Sequence, residues 1–154
     1  MLETSAAVAA GLVAAAITPV SLAGGTSATA SVVPRLRFGV VGMNHGHIYG
    51  MVDAIVRGGG QLVSFHANEP ELAADFARRY PAATQASDER AILEDPSIPV
   101  VLSSITPNER APLGVRVMQH GKDYVVDKPG VTSLAQLGEV RRVQSATKRI
   151  YSVV

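Results

Sequence analysis

The feature that most constrains this chain is the order in which two periodicities alternate along it. LRFGVV, residues 36–41, is a short β-rich run that ends at Gly42 and reads as a buried strand. Ile48, Met51, Val52 and Ile55 follow at i, i+3, i+4 and i+7, the spacing of a helix with one apolar face. Gly58-Gly59-Gly60 stops that helix, and QLVSF (residues 61–65) is a second strand. Leu72, Phe76 and Tyr80 stack along a helix over residues 71–80, which Pro81 ends. A short helix is expected over residues 88–94, with Asp88 as N-cap, and then a strand over residues 99–105. Asn108 is expected to cap a helix running to His120, with Gly121 at its C′ position. DYVVD, residues 123–127, is the next strand. Ser133-Leu134-Ala135-Gln136 matches a capping box. The helix behind it sets Leu134, Leu137, Val140 and Val143 on one side, and RIYSVV (residues 149–154) is a last strand.

Strands that alternate with helices through short connections specify an α/β fold: a doubly wound parallel sheet between two helical layers. Such sheets bind ligands beyond the C-terminal ends of their strands. The chemistry is therefore expected in four loops, residues 42–47, 67–70, 106–108 and 128–131. The 154 residues suffice for one domain, and with 47% apolar residues they can bury a core. A net charge of +1 gives no reason to expect nucleic acid as a partner. The absence of cysteine excludes disulfides and thiolate metal sites.

Residues 1–30 stand apart. Glu3 is the sole charge before Arg35, and the apolar run over residues 6–20 is shorter than the ~20 residues of a membrane span. Ala28-Thr29-Ala30 fits the small-x-small cleavage pattern of an export signal, which makes Ser31 the first mature residue. The basic start of such a signal is missing. The segment is similar to the tail of a twin-arginine signal whose arginine pair lies upstream of Met1. The chain also stops within a strand, so Val154 is read as a truncation.

In the first loop, GVVGMNHGHIYGM, a strand runs through a glycine turn into a helix N-terminus. Free backbone N–H groups there suit a pyrophosphate. The G-x-G-x-x-G positions hold Gly42, Asn44 and His47, with Gly46 one residue early. Asn44 is expected to take a positive φ in the second glycine's place. His45 and His47 invite a metal reading. A turn is not an extended segment, however, and no third ligand lies nearby in sequence, so no metal is expected and the pair reads as loop residues touching a phosphate. In the second loop the acid for the adenine ribose should fall near Ala67, and Asn68 or Glu69 would have to substitute. Thr106, Pro107 and Asn108 either line a nicotinamide or form an N-cap turn that needs no ligand. Asp127 and Lys128 follow a buried strand at the ligand edge. There a desolvated lysine can exchange a proton, with Pro129 turning it inward; the plainer reading is a surface lysine beside a turn proline.

Together these loops resemble the Gfo/Idh/MocA family, that of glucose–fructose oxidoreductase and inositol dehydrogenase. The resemblance covers residues 35–154 and rests on GVVGMNHGH, on TPN at 106–108, on GKDYVVDKPG at 121–130 and on RIYSVV. It implies a Rossmann-type domain over residues 31–154 and NAD or NADP as cofactor. It also implies hydride transfer to or from a sugar, polyol or related small-molecule substrate. DKP at 127–129 looks like the family's EKP, which makes Lys128 the catalytic-site candidate and leaves Asp127 to position it or the nicotinamide ribose. The family also carries a second α/β domain that supplies the substrate pocket and the interface of a homo-oligomer. This chain has none of it, so the domain alone should be inactive. Departures are the degenerate glycine turn, the alanine at the ribose position, and Arg110 near where the family's histidine follows TPN. Ala67 and His47 favour a competing reading, a non-catalytic exported relative that binds a small ligand or partner, and Lys128 opposes it.

Overall fold

A computed structural model describes residues 36–154, so the expected leader lies outside the described residues. Six parallel strands run in the order β3-β2-β1-β4-β5-β6. They are β1 (Leu36–Val41), β2 (Gly60–His66), β3 (Thr84–Gln85), β4 (Val100–Ser103), β5 (Asp123–Val126) and β6 (Tyr151–Val153). The connecting helices are α1 (His47–Arg57), α2 (Pro70–Arg79), α3 (Glu89–Leu93), α4 (Pro107–Gln119) and α5 (Leu134–Thr147). The chain starts in the middle of the sheet, winds outward through β2 and β3, then crosses back to β4. That reversal puts the switch point, and so the ligand crevice, between β1 and β4.

Side-chain alternation along the strands separates the two apolar layers. Phe38 and Val40 of β1 and Val100 and Leu102 of β4 face α1 and α2, where Ile48, Val52 and Phe76 are buried. Val41 and Val101, one residue out of phase, face α3 and α4 with Ile92, Leu113, Val117 and Tyr124. A third cluster, Ala111, Met118, Val140 and Val143, joins α4 to α5. Strands buried on both faces read as continuous apolar runs, which is why VVLSS carries no alternation of its own.

The expected elements form, with four differences. The two-residue β3 is too short to leave a period. Helix α4 begins at Pro107 with Thr106 as its N-cap, because proline is favoured at the first helical position; Asn108 lies inside the first turn and is not the cap. In the capping box, Ser133 Oγ accepts from Gln136 N at 3.2 Å, but Gln136 Oε1 reaches back to Thr132 N instead of Ser133 N. Leu134, expected on the apolar side of α5, is 87% exposed, and burial starts in earnest at Val140. Asp88 caps α3 as expected, its carboxylate accepting from Ala91 N at 2.8 Å, and Gly121 has the positive φ of a C′ residue.

Helix α4 approaches the sheet through a glycine. A Cβ on Gly114 would stand 2.3 Å from a Tyr151 ring carbon and 2.5 Å from one of Tyr124, and both rings are held by the sheet. Gly114→Ala is expected to cost ~1–3 kcal/mol by overpacking. A lower urea midpoint with an unchanged denaturant slope is the expected result.

Candidate functional site

At the C-terminal edge of the sheet, the β1–α1 turn is built for close approach. Gly42 has φ +72°, and a Cβ there would lie 2.7 Å from Ile105 Cβ, so the residue must be glycine on two counts. Gly42 N donates to His66 O at 2.9 Å, and Ser104 N donates to Gly42 O at 3.0 Å. The Ser104 hydroxyl, fully buried, donates to His45 O at 2.8 Å. The turn is thus tied to β2 on one side and to the β4 exit on the other. Helix α1 then starts at His47 with Gly46 as N-cap and no side-chain cap, and its first-turn N–H groups make only long bonds within the turn, His47 N to His45 Nδ1 at 3.5 Å and Ile48 N and Tyr49 N to the His45 and Gly46 carbonyls at 3.3 Å, which an anion could displace. Asn44 does not take the expected positive φ; that conformation falls on Gly42 alone in this turn. Asn44 Nδ2 instead donates to Glu69 Oε1 at 2.7 Å, while its buried Oδ1 has no partner.

A buried arginine organises the opposite wall. Arg110 is 3% exposed and Asp127 2%. Arg110 Nε donates to Ile105 O at 2.7 Å, Nη1 to Asp127 O at 3.0 Å and also to Lys128 O, and Nη2 to Asp127 Oδ2 at 3.1 Å. One guanidinium therefore clamps the loop after β4 to the loop after β5. Lys128 N donates to Val154 O at 3.1 Å, which pins the same turn to the end of β6, and the Lys128–Pro129 peptide is cis. The expectation that Pro129 turns Lys128 inward is not met. Lys128 and Pro129 are exposed, because Arg110 holds the turn by its carbonyls and leaves the lysine side chain toward the open edge.

The two walls meet through the histidines. Asp127 Oδ1 lies 2.9 Å from His47 Nδ1, and Oδ2 lies 3.2 Å from His45 Nδ1. The third ligand type that is missing near the histidine pair in sequence is present in space: sheet order carries Asp127 across β4 to the turn after β1. Burial by itself pushes the Asp127 carboxyl up. The His47 hydrogen bond and then the Arg110 charge outweigh it and hold the group below the usual carboxylate range. An ionised carboxylate only accepts, so His47 donates from Nδ1 and keeps Nε2 free. His47 and Asp127, with Gly46, Met51, Ile55, Leu102, Val125 and Val154, line a cavity of ≈ 540 Å³ between α1 and the sheet.

The remaining expected residues spread along the same edge. Ala67 is buried in the core and offers no group to a ribose. Asn68 is exposed with its Oδ1 3.2 Å from His66 Nε2, and it flanks a narrow cleft with Gly42, Asn44 and Glu69. Thr106 Oγ1 donates to Glu109 Oε2 at 2.8 Å, and Asn108 O accepts from Gln136 Nε2 at 2.9 Å, so both are engaged in structure, while Pro107 is exposed at the helix start. Sequence reasoning gave Arg110 no role and passed over Ser104. Arg110 was findable: it precedes Leu113, Gly114 and Val117 by three, four and seven residues, so a charge sits on the buried stripe of α4.

With this geometry in place, residues 36–154 match the oxidoreductase family with an NAD-binding Rossmann fold known as Gfo/Idh/MocA, and the chain belongs to that family. A protein from Erwinia carotovora atroseptica described as an oxidoreductase shares the fold with a TM-score of 0.75 at 30% identity, over 77% of this chain and 36% of its own. Levoglucosan dehydrogenase of Pseudarthrobacter phenanthrenivorans is 41% identical over 71 residues, 46% of this chain and 17% of that protein. A structure of levoglucosan dehydrogenase with NADH and levoglucosan superposes with a TM-score of 0.64 at 24% identity, over 77% of this chain and 34% of its own, a likeness of fold. The chain thus spans little more than a third of the relatives it matches.

Removing the clamp should be costly. Arg110→Ala leaves the Asp127 carboxylate buried without its cation and is expected to destabilise by ~3–5 kcal/mol in chemical denaturation. The pH dependence has a definite sign. The folded-state pKa of Asp127 is depressed, so its contribution is present above the unfolded value near 3.8 and is lost as pH falls through the lower folded value. Below about pH 4 the wild type should lose stability more steeply than Asp127→Asn in acid titrations followed by circular dichroism.

Proposed function

We propose that this domain binds NAD or NADP for an oxidoreductase that moves hydride to or from a hydroxyl or carbonyl carbon of a sugar, polyol or related small molecule. The observation that carries the reading is the 2.9 Å contact from His47 to Asp127, which joins the glycine turn to the Asp-Lys-Pro turn at the switch point of the sheet. The cofactor's pyrophosphate lies against the uncapped start of α1, and its nicotinamide end reaches the turn that carries Lys128. Lys128, exposed and unencumbered by side-chain partners among the described residues, is the proton-transfer residue; Asp127 is held too deep to act as one. The levoglucosan dehydrogenase likeness supports a carbohydrate-type substrate. The remaining parts of a protein of the relatives' length supply the rest of the substrate pocket and a homo-oligomer interface. Among the described residues no helix is long and apolar enough to cross a membrane. Ala28-Thr29-Ala30 supports export with cleavage before Ser31, which the N-terminal mass of protein recovered from the periplasm would test.

Titration of the purified chain with NADH and NADPH, followed by fluorescence, tests the reading directly. Saturable binding in the micromolar range is expected, weakened at least ~10-fold by Gly42→Ala, whose Cβ and lost φ freedom disturb the phosphate turn. A folded chain that binds neither nucleotide would overturn the proposal. In a protein of the relatives' full length, Lys128→Ala should lower turnover by ~10²-fold with little change in cofactor affinity. Unchanged turnover would remove Lys128 from the chemistry.

A further inference from the structure

His45, His47 and Asp127 are the densest cluster of metal-capable side chains among the described residues. Their ligand atoms lie within 4.8 Å of one another. We infer that these three side chains form a binding site for a divalent transition metal ion, Zn²⁺ or a first-row neighbour, at the mouth of the cavity between α1 and the sheet.

Donor spacing is the first argument. Nitrogen and oxygen ligands about 2.0–2.2 Å from one tetrahedral ion stand roughly 3.3–3.5 Å apart. His47 Nδ1 and His45 Nδ1 are 2.9 Å and 3.2 Å from the two carboxylate oxygens. A shift of a few tenths of an ångström would open these pairs to that spacing. The imidazoles meet edge to face, with centroids 4.3 Å apart and planes at 87°, so both can turn one edge toward a common point.

Chemistry selects the ion. Two imidazoles and one carboxylate suit zinc, iron(II), cobalt and nickel, whereas calcium and magnesium prefer oxygen alone.

The surroundings are those of an open, supported site. Arg110 fixes Asp127 through Oδ2 and the backbone carbonyl, as a second layer of contacts fixes a metal-bound carboxylate. His45 and His47 are 54% and 51% exposed, so an ion keeps coordination positions for water or for a hydroxyl or carbonyl oxygen entering the cavity. The guanidinium 3.1 Å from Oδ2 also sets a limit. It spends part of the carboxylate's charge, so the expected affinity is micromolar, weaker than that of a structural zinc site. Binding of the ion does not depend on the proposed dehydrogenase activity.

The test uses the whole chain, stripped of metal with a chelator and free of nucleotide. Zn²⁺ is titrated by calorimetry, and Co²⁺ by its visible absorption. The expected result is one ion per chain, tetrahedral or five-coordinate Co²⁺ bands, and at least a tenfold loss of affinity in both His45→Ala and His47→Ala. Both histidines are exposed, so these variants should fold, which circular dichroism checks. Asp127→Asn is the third variant, informative where it folds. Absence of stoichiometric binding would overturn the inference. So would binding that survives both histidine substitutions, since it would then belong to His66 or His120.

Discussion

Burying an arginine is unfavourable unless every donor finds a partner and the charge finds a counter-ion. Every guanidinium nitrogen of Arg110 finds an acceptor and its charge a counter-ion, with groups from only two loops, those that follow β4 and β5. Two separate connections at the open edge of a sheet are thereby joined into one wall. The carboxylate that balances the arginine has a second oxygen to offer, and that oxygen reaches the turn after β1. The residues of the site hold their places because one charge is satisfied.

The same arrangement separates the roles of adjacent residues. Asp127 and Lys128 are neighbours in sequence, but the first is sealed in and the second stands out at the edge. A strand that alternates its faces, followed by a turn held by its carbonyls, produces that difference without further cost. The division puts a fixed, paired carboxylate and an exposed lysine on consecutive residues.

Much of the fold was legible because helix and strand periods are local. The apolar spacing of Ile48 and Val52, the glycines that stop α1 and the Asp88 cap each follow from a few consecutive residues. The site was legible only as a set of loops. That Asp127 meets His45 and His47 depends on β1 and β5 both neighbouring β4, and strand order is a long-range property that no window of sequence displays. The sequence left Lys128 open between an inward and a surface position for a related reason: the turn that carries it is held by Arg110, seventeen residues before Asp127 and on another element. Asn108 lost the capping role to Thr106 through a signal that was present, the proline between them.

The last strand bears on all of this by an unobtrusive route. Lys128 N gives its hydrogen to Val154 O, so the turn that carries the lysine hangs from the end of β6 by its own backbone. Among the described residues strand β6 pairs only with β5, at the rim of the sheet, where a strand is easiest to displace. Val154 N in turn donates to the carbonyl of buried Val126 at 2.9 Å, so a displacement of β6 would be felt at Lys128 and at the end of β5 alike. One residue, by its two backbone groups, thus ties the Lys128 turn to the end of β5.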